Sequence, residues 1–223
     1  MIIFRNKYNL KVTKNSILVI GNFDGLHKGH VSILNEAARF AKNNKCKIGL
    51  LTFDPNPKEF FSKEKNFKII SLNEKQKILS AMKIDYLIIL KFNKGLRNMT
   101  AENFIKKILK EKIRPSKIVV GREFKFGKNR GGNPSLLKKY FYTRIALQKK
   151  ISGKKISSSE IRKLISLGKV SQVKKLLGRF WSVNGKVISG DKIGRTLGYR
   201  TANVFLNDCI LPLRGVYVTR LYL

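Results

Sequence analysis

Carboxylates are scarce in this chain. Its 223 residues carry 13 Asp and Glu against 48 Lys and Arg, a formal net charge of +35. Histidine and cysteine are scarcer still, at two residues each. Cys46 and Cys209 make no C-x-x-C and no spaced framework, so a disulfide scaffold is excluded and a reduced, cytoplasmic setting is expected. No apolar run approaches the ~20 residues of a membrane span. The opening stretch MIIFRNKYNLKVTKN lacks the apolar core of a signal peptide, so a soluble protein with no membrane partner is expected. No run of five or more basic residues forms an arm. The positive charge is spread in singles and pairs through a chain rich in Lys, Ile and Asn. It reads first as a compositional surface. Such a surface can still attract polyanions, but nucleic acid is not the expected partner. What is present is ordinary globular material: 43% hydrophobic and 10% aromatic residues, enough for a real core and against disorder. The length suits one large domain, or one domain with part of another.

Short apolar runs alternate with helix-like segments. SILVIG (16–21), KIGLLTF (47–53), YLIILKF (86–92), KIVVG (117–121) and TRIALQKKI (143–151) predict five buried strands. Between them, the segment from His30 places Ile33, Leu34, Ala37, Ala38 and Ala41 on one helical face. LNEKQKILSAMKI (72–84) predicts a second helix. Thr100 is a suitable N-cap for a third, with Phe104, Ile105, Ile108 and Leu109 as its apolar stripe. PSLLKKYF predicts a further helix, and two more close at Gly168 and Gly178. The fold class expected is α/β, a Rossmann-like parallel sheet covered on both faces. After Gly178 the texture turns to glycines and β-rich runs without helical period, including GVYVTRLYL, which predicts antiparallel structure. The expected domains are 1–178 and 179–223.

The stretch GNFDGLHKGH leaves the first of these strands and enters a helix, so it lies at the carboxyl edge of the sheet, where doubly wound folds bind ligands. Gly21, Gly25 and Gly29 allow close approach of backbone to a ligand. His27 and His30, three apart, can face one way on the first turn. The helix N-terminus adds free N–H groups and positive partial charge. This pattern suits a phosphate cradle. It could also bind a metal, for which Asp24 is the available third ligand, or be structural. The second constellation is KISSSEIRKLI (155–165). Ser157, Ser158 and Ser159 can cap a helix or bond phosphate oxygens, and Arg162 can grip a phosphate with two N–H groups. It follows the last predicted strand and therefore opens on the same edge as the histidines.

An H-x-G-H turn after the first strand, paired with I-S-S-S-x-I-R after the last, resembles the nucleotidyltransferase superfamily. TFDPNP (52–57), VVGREFKFGKNRGGNPSLL (119–137) and LLGRFWSVNGKVISGDKIGRTLGYRTAN (176–203) narrow the resemblance to the bacterial bifunctional riboflavin kinase/FAD synthetase family. That family's N-terminal domain joins FMN to AMP from ATP and releases pyrophosphate, and its C-terminal β-barrel phosphorylates riboflavin. The resemblance implies ATP and FMN as substrates and Mg2+ bridging the phosphates. It implies His27, His30 and Arg162 as catalytic residues. Gly21, Asn22, Phe23, Asp24, Gly29, Ser157, Ser158 and Ser159 would seat ATP. Phe53, Asp54, Asn56, Glu123, Phe124 and Phe126 would line the flavin side. Gly190, Gly194, Arg195, Thr201 and Asn203 fall on the kinase's nucleotide motif, with Thr201 as its Mg2+ contact.

Three positions depart from the family pattern: Asn56 for a histidine, Glu123 for Asp or Asn, and Arg200 for a proline. Residues 179–223 contain no glutamate, whereas the resembling kinase uses one as base. Adenylyl transfer is therefore expected, riboflavin phosphorylation by these residues is not, and GVYVTRLYL is expected to present an open β edge, so that the segment after Gly178 is poorly ordered, docked on the first domain or self-associated with another chain. Two other functions stay open on the sequence: adenylyl or cytidylyl transfer to a different phosphate acceptor, and a basic nucleic-acid-binding protein built on a decayed nucleotidyltransferase fold.

Overall fold

The computed structural model of the protein describes residues 1–7, 10–62, 64, 66–147, 150–151, 153–190, 198–199, 201–206 and 208–222. Its centre is a six-stranded parallel sheet. The strands are β1 (Ile2–Arg5), β2 (Ile17–Ile20), β3 (Ile48–Asp54), β4 (Tyr86–Lys91), β5 (Lys117–Gly121) and β6 (Tyr142–Ala146). They lie in the order β1-β4-β3-β2-β5-β6. Every pairing is parallel. β2 is completely buried, as a continuous apolar run covered on both faces must be. One face carries Ile17, Val19, Leu50, Leu87 and Val119 beneath the helix Lys28–Asn43. The other carries Leu18, Ile20, Leu51, Ile88 and Val120 beneath the helical segment Phe104–Ile113. These alternating residues point to opposite sides, as strand geometry requires.

From β2 the chain builds outward through β3 and β4, then crosses back to place β5 on the other side of β2. The reversal makes β2/β5 the topological switch point, and the crevice at its carboxyl end is where such sheets take ligands. The histidine turn leaves β2 at that end.

Several expectations need correction. The sequence does not predict β1: its four residues, IIFR, are mostly apolar but largely exposed, and they pair beside β4 at the edge of the sheet in a run too short to mark a strand. The last predicted strand, 143–151, stops at Ala146. Lys150–Ile151 instead forms a two-residue hairpin, β7, with β8 (Lys154–Lys155). Thr100 caps a helix as predicted, accepting from the Asn103 N–H at 3.2 Å. Phe104–Ile113, however, winds as a π-helix rather than an α-helix. The Arg114 N–H closes it on the Leu109 carbonyl at 2.7 Å, and the apolar stripe is buried all the same.

After Gly178 the antiparallel structure among the described residues is one pair, β9 (Gly185–Ile188) with β10 (Asn203–Leu206). It forms no closed barrel. GVYVTRLYL is not a strand in its described residues: Val216 and Val218 are fully exposed and no ladder reaches them. β-branched residues favour strands only where a partner supplies hydrogen bonds, so the edge expected there is not formed. Docking on the parallel-sheet region, one of the states expected after Gly178, is seen at Trp181, Asp208 and Ile210. The Lys68 N–H donates to the Asp208 carbonyl at 2.9 Å, the Ile210 N–H to the Lys68 carbonyl at 2.8 Å, and the Trp181 indole to the Ile69 carbonyl at 2.8 Å.

Candidate active site

The turn between β2 and the helix Lys28–Asn43 runs through left-handed backbone at Phe23 (φ 47°), Gly25 (φ 78°) and Leu26 (φ 42°). Only Gly takes this conformation without cost; Phe23 and Leu26 are strained. Both are buried, Leu26 completely. Gly25 has a second constraint, because a Cβ there would press on the Ile69 side chain at 3.0 Å. His27 follows in extended conformation as the N-cap, its imidazole accepting from the His30 N–H at 3.2 Å. That capping bond holds the two rings together: they stack at 3.6 Å with 17° between planes, and Phe23 meets His30 edge-on at 5.0 Å.

His27 is 1% exposed. Burial pushes its imidazole down to about 4, with help from the positive charges of Lys155 and Arg179. His30 is likewise held well below its ordinary value, by burial first and then by His27, Lys75 and Lys155. Both rings are therefore neutral near pH 7 without ligand. Among the described residues, the buried Nδ1 of His30 has no hydrogen-bond partner. An unmet buried nitrogen is costly in a folded protein, and a bound ligand or ion is one of the things that can complete it.

Asp24 brings the second constellation to the first. Its carboxylate meets Arg162 Nη1 at 2.5 Å and accepts the Ile69 N–H at 3.1 Å. Ser158 Oγ donates to the Asp24 carbonyl at 3.0 Å. Arg162 also lies 4.0 Å over the Phe67 ring, a face-on contact that a planar guanidinium favours. Burial works against both members of this pair, raising the Asp24 carboxyl and lowering Arg162. Ser157 caps the helix Ser158–Ser166 by accepting the Glu160 N–H at 3.2 Å, and Ser159 accepts from Lys58 Nζ at 3.3 Å. The N-terminal ends of two helices, Lys28–Asn43 and Ser158–Ser166, thus share one neighbourhood with Lys75, Lys155, Arg162 and Arg179 and with the buried carboxylate of Asp24.

Beside this turn lies a cleft lined by Asp24, Phe53, Asp54, Asn56, Lys68, Ile70, Leu72 and Lys75. It brings together three of the residues expected on the flavin side. Asn56 is tied into its own turn, its N–H donating to Glu59 at 3.1 Å and its side-chain oxygen accepting the Lys58 N–H at 3.0 Å. The other three stand apart from it. Phe126 is buried in the core against Phe104 and Phe124, with ring centroids at 5.6 and 5.4 Å. Phe124 is only partly buried. Glu123 is exposed and ion-pairs with Lys155. Of the kinase-motif residues, Gly190 packs so closely on the Asn203 amide that any Cβ would collide with it. Thr201 is exposed nearby, and Gly194, Arg195 and Arg200 lie outside the described residues.

Two basic residues of the site carry no motif. Lys75 is 8% exposed and donates to the Asn22 carbonyl at 2.9 Å, beside Thr52 Oγ1 at 3.0 Å on the same oxygen. Burial lowers its ammonium, against the pull of Asp24 and Asp54. A local signal for it exists: Lys75 occupies the apolar stripe of its helix, three after Leu72 and four before Leu79. Arg179 donates to the Gly25 and Leu26 carbonyls at 2.7 and 3.1 Å, and nothing in its local sequence marks it.

Comparison with known proteins adds family information. Residues 9–160 match the FAD synthetase family model and residues 177–223 the riboflavin kinase family model. The chain is 39% identical over 232 residues to a bifunctional riboflavin kinase/FMN adenylyltransferase of Buchnera aphidicola from Schizaphis graminum, covering 99% of this chain and 73% of that protein. The Escherichia coli K12 protein of the same description is 32% identical over 225 residues, covering 97% and 72%. A solved Streptococcus pneumoniae structure, described as a macrolide-efflux protein, superposes with a TM-score of 0.85 at 30% identity over 97% of this chain and 73% of that one. Among the described residues of this chain, no helix is long and apolar enough to cross a membrane.

Proposed function

The chain belongs to the FAD synthetase family, and from that we propose that its two converging turns transfer AMP from ATP to FMN, giving FAD and pyrophosphate. The observation that carries this reading is the meeting of Asp24, in the histidine turn, with Ser158 and Arg162, from the far end of the parallel-sheet region. That meeting brings both turns together at the carboxyl end of β2, which supports their sharing one phosphate chain. A phosphate oxygen of FMN attacks the α-phosphorus of ATP in line, one P–O bond forms, and the bond to the departing pyrophosphate breaks. No covalent enzyme intermediate is needed, so the work is placement and stabilisation of charge.

His27 and His30 lie on the reacting phosphate, where neutral imidazoles donate or accept hydrogen bonds and gain protons as negative charge approaches. Arg162, with Ser157, Ser158 and Ser159 at the helix N-terminus, holds the phosphates that leave. For Arg162 this means exchanging or sharing the Asp24 carboxylate. Gly21, Asn22, Phe23 and Gly29 form the seat of the nucleotide. Phe53, Asp54 and Asn56 face FMN across the adjoining cleft. Among the described residues no three His, Cys, Asp or Glu side chains cluster as a metal set. Mg2+ would enter this site with ATP and would supply neutralisation of charge on the triphosphate. Residues 1–178 are assigned to this activity, with the boundary at Gly178. The family match disfavours another phosphate acceptor. The test is product analysis: incubation with ATP, Mg2+ and FMN yields FAD and pyrophosphate in equal amounts. No FMN-dependent pyrophosphate from well-folded protein rejects the reading.

A further inference from the structure

Arg179 lies in the segment that matches the riboflavin kinase family, yet its hydrogen bonds go to the histidine turn of the other segment. We propose that Arg179 is a positioning residue for adenylyl transfer, bracing the Gly25 and Leu26 carbonyls and through them the placement of His27 and His30. The proposal rests on the function assigned above, and its test separates the two.

Nη2 donates to the Gly25 carbonyl at 2.7 Å and Nη1 to the Leu26 carbonyl at 3.1 Å. These carbonyls belong to consecutive left-handed residues, φ 78° and 42°. Left-handed backbone turns their oxygens away from any helical or strand partner, so a donor must come from elsewhere. A planar guanidinium fork spans two neighbouring oxygens in a way no ammonium can. Arg179 is only half-buried, but burial still lowers its basicity, and the one carboxylate acting on it is Glu74, with no ion pair between them among the described residues. Its donors are directed at main chain.

The link to the chemistry is short. The Leu26 carbonyl belongs to the peptide plane that carries the His27 N–H. Rotating that plane moves His27, whose imidazole accepts from the His30 N–H at 3.2 Å and stacks on its ring at 3.6 Å. Leu26 is a strained, fully buried residue with φ 42°, and such a conformation persists only where its surroundings over-determine it. A second tie runs in parallel: Trp181 holds the Ile69 carbonyl at 2.8 Å while the Ile69 N–H holds Asp24 at 3.1 Å. The first residues after Gly178 thereby grip both walls of the site.

The test uses the full chain with Arg179→Met and Arg179→Lys. The chain has only two histidines, so their Cε1–H resonances are directly observable by NMR. In the wild type both titrate low, His27 at about 4. In Arg179→Met the histidine midpoints move up toward 6.5, and kcat for FMN-dependent pyrophosphate release falls about tenfold or more. KM for ATP and for FMN stays within about threefold, because Arg179 touches neither. Arg179→Lys keeps the charge but not the fork. It moves the histidine resonances and lowers kcat to a smaller extent, and if Arg179→Met does not fold it decides the matter alone.

Wild-type titration and kcat in both variants overturn the proposal. So does a raised KM for ATP with kcat unchanged, which would make Arg179 a ligand contact. If the wild type itself releases no pyrophosphate, the assigned function fails, while the histidine spectra still decide whether Arg179 places the rings.

Discussion

The Arg162 guanidinium lies 2.5 Å from the Asp24 carboxylate, across 138 positions of chain. Their side chains are 12% and 6% exposed. Removing one partner of so buried a pair leaves the other charge uncompensated, at about 3–5 kcal/mol. Asp24→Asn is expected to lower the unfolding free energy by an amount in that range, read from urea denaturation. A change within experimental error would show that Lys75 and solvent carry the Arg162–Asp24 region without the ion pair.

Arg162→Lys keeps the charge and removes the fork. The expected signature is a KM for ATP raised about tenfold with FMN binding little changed, measured by steady-state kinetics and by FMN fluorescence quenching. Unaltered ATP kinetics would remove Arg162 from the nucleotide site.

His27 has an observed role and a proposed one, and a well-chosen substitution separates them. As N-cap it accepts the His30 N–H; losing a cap costs about 0.5–2 kcal/mol. His27→Asn retains a capping oxygen and discards the imidazole. It is expected to melt within a few degrees of wild type and to lose about 10²-fold in FAD formation, as does His30→Ala, the scale of one transition-state contact worth roughly 2.7–4 kcal/mol. Near-normal kcat in both would make the stacked pair structural.

The same burial sets the pH response. His27 titrates at about 4 when folded against 6.5 when free. As pH falls through 6.5 the unfolded chain takes a proton that the folded chain refuses. Stability is therefore full above pH 6.5 and declines toward pH 4, by up to about 3 kcal/mol from this group. His30 acts in the same direction. Melting temperatures between pH 7.5 and 4.5 should show the decline, and His27→Asn should flatten it. Negative phosphates reverse the bias, so ATP binding near pH 6 should take up protons, measurable by calorimetry in buffers of different ionisation enthalpy. Binding without proton uptake would place the triphosphate away from the imidazoles.

The continuous apolar runs Ile17–Ile20 and Tyr86–Leu90 announced a doubly covered parallel sheet because burial on both faces leaves no polar alternation to confuse them. Ile2–Arg5 is strand-like in composition, but four residues at an edge show no alternation long enough to be read, and only the pairing with β4 defines them. GVYVTRLYL misled for the opposite reason: strand-like composition without a neighbour. At the site, two turns were legible from motif spacing. Arg179 was not, since one arginine among 48 basic residues is distinguished only by the carbonyls it reaches. Phe126 is buried against Phe104 and Phe124, and one sequence pattern serves both an aromatic at a ligand edge and an aromatic beneath it.

Trp181, the chain's one tryptophan, gives this arrangement an optical handle. Its indole N–H is fixed on the Ile69 carbonyl at 2.8 Å, one residue from Lys68 and Ile70 in the cleft wall. Emission from the whole molecule therefore originates at one seam. When the residues beyond Gly178 lift off that wall the indole enters water and the spectrum moves to the red, whether or not the parallel sheet has melted. Far-ultraviolet dichroism follows the sheet and helices, so comparing the two transitions in denaturant distinguishes undocking from unfolding without a label.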